Sequence, residues 1–351
     1  MRSLLLISLF LSCLASPSQS EDSIQIGIIG LDTSHVIAFT KQFNDPEHPN
    51  YVPGGRVVAA YRGGSPDIPS SADRIDGFTE TLVNDFGVKL YEDIPTLCKN
   101  VDAILLESVD GRKHLEQVRP VFDAGLPVFI DKPVAGSLKD AIKIYRLAKE
   151  SGTPCWSASS LRFRPGVVAV AKEDAGDIRG AFSYGPASIE PTHPDLFWYG
   201  IHPTEALFTV LGSGCISVSR THTEDTDVVT GIWDDGKVGV VYGQRNQKAG
   251  FKVIKFGTRK IVEQTEGGDY TGMLEAIIEF FQTGIPPVSA EDTLEIYAFM
   301  EAADESKRRN GQPVALEEVM RMGTQLPHNH TEISLEFNLM RAPLLRPTLA
   351  S

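Results

Sequence analysis

An acid and a base stand side by side at the end of a short apolar run in the first half of the chain. The run Val128–Ile130 suits a strand that is buried on both faces, and Asp131, Lys132 and Pro133 follow it directly. Charged side chains belong at the carboxyl end of such a strand, where open α/β sheets bind ligands. Pro133 pushes the preceding residue towards an extended conformation, which aims the Lys132 side chain. A solvent-exposed ion pair at a strand end is the competing interpretation.

A histidine in an aromatic stretch is the second candidate for chemistry. Residues 197–205 read FWYGIHPTE, and His202 follows Gly200 near the start of an apolar helical pattern. The ordinary pKa of histidine, about 6.5, suits proton transfer near neutral pH. A lone histidine is nevertheless more often structural than catalytic. His193 is a weaker candidate and is expected to be a loop residue.

The beginning of the chain has the pattern of a strand, a tight turn and a helix. The apolar run SIQIGIIG ends at Gly30, and a helical spacing of apolar residues begins at Val36. Nucleotide-binding α/β domains open in this way. Free N–H groups at the start of the helix, together with the hydroxyls of Thr33 and Ser34, would bind a phosphate.

The remaining pattern predicts two kinds of sheet. Strands alternate with helices in the first half, which predicts a parallel sheet with right-handed crossovers. These strands are expected near residues 56–61, 103–106, 128–130 and 155–158. After Gly214 the strands are short and partly alternating, and the turn DDGK at residues 234–237 predicts a hairpin. A largely antiparallel sheet with one face on helices follows from that pattern.

The predicted fold class is α/β, with a Rossmann-type parallel-sheet domain at residues 21–158. An α+β domain with a large, mostly antiparallel sheet is expected at residues 159–323. Helices at residues 271–283 and 290–310 are expected to close this second domain. The open face of its sheet suits contact with a second copy of the chain, so a homo-oligomer is expected. Residues 324–351 are predicted to form an extended or disordered tail.

Residues 1–20 have the features of a secretory signal peptide. Arg2 supplies a positive charge, an apolar stretch too short to span a bilayer follows, and small residues precede Glu21. We therefore expect export, to the periplasm in a bacterial cell, and no membrane span. Cys13 lies in a poor context for lipidation.

Composition excludes several classes of partner. The chain has 33 basic and 46 acidic residues, a formal net charge of −13, and removal of the signal segment makes it one unit more negative. Nucleic acid and anionic membranes are therefore not expected as partners, whereas a small-molecule substrate is. Cys98, Cys155 and Cys215 are few and widely spaced, so neither a disulfide framework nor a zinc site is implied. No metal site is predicted.

The residues around the acid–base pair resemble those of a known enzyme family. The resemblance runs from about residue 24 to residue 319 and is to the Gfo/Idh/MocA oxidoreductases. It is carried by DAI at residues 102–104, His114, AG at 124–125, Asp131-Lys132-Pro133, Ser137 and DA at 140–141. The family carries Glu-Lys-Pro at this place, and here the glutamate is an aspartate.

The resemblance implies roles for residues of both halves. Gly200 and His202 match the family motif D-x-G-x-H-x-x-D, in which the histidine moves a proton while a hydride moves to or from a nicotinamide. Trp198 and Glu205 replace the acids of that motif. The implied catalytic residues are Lys132 and His202. Because the acids are replaced, Tyr199 is expected as a substitute proton donor, or as part of an aromatic pair that stacks on a sugar. Arg164, Trp198 and Glu205 are expected to bind substrate. Arg162 is expected to be structural.

The implied cofactor is NAD or NADP. The family usually opens with G-x-G-x-x-G, whereas this chain has Asp32 and His35 in place of the second and third glycines. Asp32 is expected to turn away and cap the helix. Arg62, after the second strand, would pair with the 2′-phosphate of NADP, or be a surface residue. The expected cofactor-binding residues are Gly30, Thr33, Ser34, His35, Arg62, Ser108, Asp131 and Lys132.

Two functions therefore remain open. The first is an exported NAD(P)-dependent oxidoreductase that acts on a sugar, a cyclitol or a related hydroxy or keto compound. The second is a redox-inactive protein on the same scaffold that binds a carbohydrate or an acid. Retention of Lys132 and His202 favours the enzyme, and the departures at Asp32, His35 and Trp198 favour the second function.

Overall fold

The structure is a computed structural model that describes residues 23–245 and 250–324. The predicted signal peptide and almost all of the predicted tail lie outside the described residues. Among the described residues, no helix is long and apolar enough to cross a membrane. Cys98, Cys155 and Cys215 are free and buried.

A six-stranded parallel sheet forms the first half of the molecule, as predicted. Its strand order is β3-β2-β1-β4-β5-β6, with the direction of winding changing between β1 and β4. The strands are β1 (Ile24–Ile29), β2 (Gly55–Tyr61), β3 (Lys89–Tyr91), β4 (Ala103–Leu106), β5 (Val128–Ile130) and β6 (Cys155–Trp156). The residues of β4 and β5 are fully buried, which explains their uninterrupted apolar sequence.

Helices cover this sheet, and side chains cap the starts of three of them. The helices are α1 (His35–Asn44), α2 (Pro69–Ala72), α3 (Ile75–Phe86), α4 (Ile94–Cys98), α5 (Gly111–Asp123) and α6 (Leu138–Ser151), of which α4, α5 and α6 are the capped ones. The Asp110 carboxylate accepts a hydrogen bond from the backbone of α5, and the Ser137 hydroxyl accepts one from that of α6. Gly152 ends α6 in the left-handed conformation.

The second half contains a seven-stranded, mostly antiparallel sheet, which confirms the predicted fold class. The strands of this sheet are β7 (Ile178–Pro186), β8 (Cys215–His222), β9 (Thr226–Trp233), β10 (Val238–Gln244), β11 (Lys252–Gly257) and β12 (Ile261–Glu263). The helices are α7 (Pro165–Lys172), before β7, and α8 (Asp195–Trp198) and α9 (Ile201–Leu211), between β7 and β8. The strand order is β12-β11-β7-β10-β9-β8-β13, in which β13 is the short strand Val314–Ala315. Within the described strands of this second sheet, only the β7–β10 pair is parallel. The predicted hairpin joins β9 and β10, with Gly236 at φ +86°.

The last helices tie the two sheets together. They are α10 (Thr271–Thr283), α11 (Ala290–Arg308) and α12 (Leu316–Thr324), with β13 (Val314–Ala315) between the last two. We expected α10 to close the second domain, but Leu274 and Ile277 of α10 pack with Ile26 and Phe39 in the core of the first sheet. The apolar face of α10 therefore covers the sheet that lies earlier in the chain.

Candidate functional site

A cavity of about 290 Å³ lies at the carboxyl ends of the parallel strands, where the two halves meet. This is the place at which open α/β sheets bind ligands. Residues from the first half and from the second half line it together: Thr33, Ser34, His35, Ser70, Arg74, Val109, Lys132, Ser160, Leu161, Arg164, Ser188, Trp198, Tyr199, His202, Phe251 and Tyr270. Three of these residues are cationic at neutral pH, and no carboxylate is among them.

Lys132 is held in the cavity by a loop that is fixed from two sides. The Val134 N–H donates a 2.6 Å hydrogen bond to the Tyr297 hydroxyl of α11. The two ring nitrogens of His114 lie 2.7 Å from the Ser108 carbonyl oxygen and 3.3 Å from the Val134 carbonyl oxygen. The Lys132–Pro133 peptide bond is cis. The Lys132 ammonium lies 5.9 Å from the centre of the Tyr199 ring.

His202 lies at the start of α9 in a mostly apolar environment. Its Nδ1 shares a 2.7 Å hydrogen bond with the Ser159 hydroxyl, and the Tyr199 ring meets it edge-on at 4.8 Å between ring centres. No described residue hydrogen-bonds its Nε2. Burial, and then the positive charge of Lys132, lowers the pKa of His202 well below 6.5. His202 is therefore a neutral proton acceptor at neutral pH.

Glu205 lies behind the cavity wall. Its carboxylate accepts a 2.7 Å hydrogen bond from Arg162 Nε and a longer one from the Ser159 N–H. Ser159 in turn bonds His202. Glu205, expected to bind substrate, therefore acts on the site through Ser159, and Arg162 has the structural contact expected of it.

The other two residues expected to bind substrate do line the cavity. The Arg164 guanidinium lies 5.9 Å from the centre of the Phe251 ring, and its buried Nε has no hydrogen-bond partner. Trp198 packs against the ring of His193, whose buried imidazole accepts a hydrogen bond from the Gly111 N–H. His193 does not line the cavity.

Asp32 turns away from the cavity, as expected, but its partners differ from those predicted. Its fully buried carboxylate accepts hydrogen bonds from the Val109 N–H at 3.0 Å and from the Ser71 hydroxyl at 2.6 Å. The expectation that it caps α1 is wrong, because α1 has no side-chain cap. Asp32 instead ties the turn after β1 to β4 and α2.

The turn after β1 retains the first glycine of the fingerprint for a steric reason. Gly30 has φ +87°, and a Cβ there would lie 2.5 Å from the Ser108 Cα. Ser108 is buried against this turn, and the start of α1, with Thr33 and Ser34, faces the cavity. Because Asp32 points inward, the free N–H groups of α1 remain able to bind a phosphate.

Arg62 is not part of the cavity wall. Its guanidinium forms a 2.5 Å ion pair with Asp76, on the exposed side of α3. Arg74 lines the cavity instead, and it bonds the Ser70 carbonyl oxygen. The sequence contained no signal for this role, because residues 69–86 carry no motif.

His35 and Asp131 lie close to Glu107, an acid that was not among the predicted site residues. His35 Nδ1 lies 2.8 Å from Asp131 Oδ2 and 3.8 Å from Glu107 Oε2. Burial, and then the negative charge of Asp131, raises the pKa of Glu107 well above its ordinary value. Burial alone would raise the pKa of Asp131, but the adjacent His35 lowers it below its ordinary value. The position of Glu107, an acid at the end of a buried strand, was the available signal.

The sequence of the first half matches a known family. Residues 24–159 match the family described as "Oxidoreductase family, NAD-binding Rossmann fold". This match confirms, for these residues, the predicted resemblance to the Gfo/Idh/MocA oxidoreductases. The matched segment contains Lys132 and the turn after β1 but ends before His202. No curated protein sequence matches the chain significantly.

Solved structures of dehydrogenases share the fold of both halves. Myo-inositol dehydrogenase from Lactobacillus casei, in complex with NAD(H) and myo-inositol, is 16% identical, with a TM-score of 0.67 over 84% of this chain and 96% of that chain. Apo scyllo-inositol dehydrogenase from the same organism is 16% identical, with a TM-score of 0.69 over 84% and 98%.

An oxidoreductase from Agrobacterium radiobacter is similar to the same extent. Its structure, in complex with NAD+, L-tartaric acid and magnesium, is 16% identical, with a TM-score of 0.68 over 85% of this chain and 99% of that chain. Identities this low establish a shared fold of the whole two-sheet unit and no more.

Proposed function

We propose that the protein is an NAD(P)-dependent oxidoreductase that acts on the CH–OH group of a sugar, a cyclitol or a related hydroxy or keto compound. The observation that carries this proposal is the convergence of Lys132 and His202, which are distant in sequence, on one cavity. The phosphate-binding start of α1 opens into the same cavity, and the first half belongs to an NAD-binding family. A polar groove with another function would not require the Lys132–His202 pair and the start of α1 to open into the same cavity.

The residues of the cavity fit the nicotinamide end of the cofactor. Thr33 and Ser34 would hold its phosphates at the start of α1, and Arg74 would add a positive charge. A whole dinucleotide is larger than this cavity, so its adenosine end would extend beyond it. Arg62, the residue that would pair with a 2′-phosphate, is engaged with Asp76, so this arrangement gives NADP no advantage over NAD.

Proton transfer is assigned to the amine of Lys132 and the imidazole of His202. When bound, the nicotinamide accepts or supplies a hydride at the reacting carbon. In the oxidative direction, neutral His202 takes the proton of the substrate hydroxyl, and in the reductive direction it returns it. The Lys132 ammonium donates a hydrogen bond to the same oxygen and stabilises its developing negative charge. The Tyr199 ring lies near both side chains.

The charge of the cavity favours a substrate that carries an acidic group. Lys132, Arg74 and Arg164 line it, and no carboxylate among the lining residues offsets them. The buried Arg164 Nε without a partner is a donor for such a group. We therefore place hydroxy acids and sugar acids beside neutral cyclitols among the candidate substrates.

The test is native mass spectrometry of the protein, purified without added cofactor and then titrated with NAD and NADP. Retained cofactor, or clear binding of one form, supports the proposal and justifies a screen of polyols and sugar acids. Binding of neither form would contradict it. The second function, a redox-inactive carbohydrate- or acid-binding protein, would then account for the cationic cavity, and the same screen without cofactor would detect its ligand.

Export and self-association are part of the proposal. Residues 1–20 would direct the chain to the periplasm, where a tightly bound cofactor would suit the enzyme better than a freely exchanging one. Amino-terminal sequencing of protein recovered from the periplasmic fraction checks this, with Glu21 as the expected first residue.

A homo-oligomer would form through the open face of the seven-stranded sheet.

A further inference from the structure

A buried carboxylate without a partner lies next to the cavity. Glu107, at the end of β4, is fully buried, and neither of its carboxylate oxygens has a hydrogen-bond partner. Leaving an ionised carboxylate in this state costs several kcal/mol, because burial removes its hydration and nothing replaces it. Such groups are rare in folded proteins, and a missing ion is a common reason for one.

His35 and Asp131, whose side chains are of kinds that bind metals, lie close to Glu107. They do so because strands β1, β4 and β5 end side by side. The Glu107 N–H donates to the Ile29 carbonyl oxygen of β1, and the Asp131 N–H donates to the Leu106 carbonyl oxygen of β4. These bonds fix the strand ends side by side. His35, in the first turn of the helix that follows β1, then lies over both acids.

The spacing of the three side chains matches a metal coordination sphere. One ligand atom from each of His35, Glu107 and Asp131 lies within 4.8 Å of the others. His35 Nδ1 is 2.8 Å from Asp131 Oδ2 and 3.8 Å from Glu107 Oε2. Ligand atoms bonded at about 2.1 Å to one ion are about 3.0–3.4 Å apart, so small side-chain movements would complete the site.

We propose that His35, Glu107 and Asp131 bind one divalent first-row transition-metal ion, of the class of Mn²⁺ or Zn²⁺. One imidazole and two carboxylates form a mixed nitrogen and oxygen donor set, which suits these ions better than Mg²⁺ or Ca²⁺. Three protein ligands leave coordination positions for water or a ligand oxygen, as in metal sites that take part in chemistry. Because His35 lines the cavity, the ion would lie beside it.

A metal bound at this site would explain why this chain has His35 and Asp131 where the family has other residues. His35 replaces the glycine that normally lets helix and strand pack closely, and Asp131 replaces the family's glutamate. The Lys132 ammonium, which acts on both acids, opposes a cation here, and no described hydrogen bond joins it to Glu107. A proton on Glu107 is the competing explanation, since it would also remove the buried charge.

Metal titration of the full mature chain distinguishes these explanations. The protein is treated with a chelator, dialysed and titrated with Mn²⁺, Zn²⁺ and Mg²⁺ by isothermal calorimetry, with Co²⁺ absorption as a probe of nitrogen and oxygen ligation. We expect one bound Mn²⁺ or Zn²⁺ per chain and weaker binding of Mg²⁺. Glu107→Gln and His35→Gln should each weaken binding by about 100-fold or more.

Glu205→Gln is the matched control, because Glu205 is an equally buried carboxylate that already has Arg162 as its partner. It should retain the metal affinity of the wild-type chain. Absence of stoichiometric binding by the wild-type chain would overturn the proposal, as would equal affinity in Glu107→Gln. The result is independent of the proposed function, because cofactor binding is measured separately and either site can exist without the other.

Discussion

Lys132 and His202 derive their expected reactivity from different surroundings. Lys132 is partly exposed to the cavity and lies over an aromatic ring, whereas His202 is buried and bonded to Ser159. The ammonium of Lys132 helps to keep His202 uncharged. One side chain is thereby a charged donor while its neighbour is a neutral acceptor, and this division suits proton movement at a single oxygen.

Lys132→Met should remove the charged donor and lower kcat by about 100-fold or more, because general acid–base groups contribute about 10²–10⁴. Steady-state kinetics with the substrate found in the screen measures this effect. Lys139→Met, on the exposed side of α6, is the matched control and should keep the wild-type rate. An unchanged kcat in Lys132→Met would exclude the lysine from the chemical step.

The depressed pKa of His202 should appear in the pH profile. Because the folded pKa lies well below 6.5, the imidazole stays neutral as the pH falls through 6.5, and kcat/KM in the oxidative direction should decline only at lower pH. The acid limb should disappear in His202→Gln, together with most of the activity. A limb centred at or above pH 6.5 would contradict the assignment.

The same pKa shift has a consequence for stability. The unfolded chain binds a proton on His202 near pH 6.5, whereas the folded chain does not, so the folded state loses stability as the pH falls below about 6.5. His202 contributes no such loss above that pH.

At the scale of elements, the site depends on how closely the strand ends approach one another. The turn after β1 contacts the end of β4 at Ser108, and Asp32 bonds the backbone of Val109 in the same region. These contacts set the distance between the start of α1 and the loop that carries Lys132. A change in this packing should therefore affect folding and cofactor binding together.

Gly30→Ala should destabilise the protein by about 2–4 kcal/mol. The alanine would need a left-handed conformation, and its Cβ would overlap the backbone of Ser108. Gly77→Ala is the control, because Gly77 lies in α3 with no atom near the new methyl group, and it should add about 0.5–1 kcal/mol of stability. Urea unfolding of both variants measures the difference, and equal stabilities would contradict the close contact.

At the scale of the whole molecule, the seven-stranded sheet carries an exposed apolar row on its open face. Ile232 pairs with Val238, Val238 with Gly180, Gly180 with Phe256, and Phe256 with Ile261, so their side chains share one face. The four apolar side chains of the row are between 37% and 60% exposed. A continuous row of this kind supports the proposed contact between copies of the chain.

Val238→Glu should therefore reduce the molecular mass in solution, as measured by size-exclusion chromatography with light scattering, without unfolding the chain. A charge buried between two copies would lack a partner. Val83→Glu, at a similarly exposed apolar position on α3, should leave the mass unchanged. An identical mass for Val238→Glu and the wild-type chain would place any self-contact elsewhere.

Much of the architecture could be predicted because it rests on neighbours in the sequence. Apolar runs such as Val128–Ile130 and the turn at Gly236 encode strands and a hairpin locally. β7 was missed because IRGAFSYGP contains two glycines and a proline, and its place beside β10 depends on the rest of the sheet. The placement of α10 on the first sheet also had no local signal.

The sequence alone determined the class of fold, and it predicted a lysine and a histidine as the residues that carry the chemistry. Only the tertiary structure decided which side chains meet. The links from Glu205 through Ser159 to His202, and from His35 to Asp131 and Glu107, join residues on elements that the strand order and helix packing bring together. Periodicity reports which way a residue faces within its own element, whereas these contacts depend on how separate elements pack.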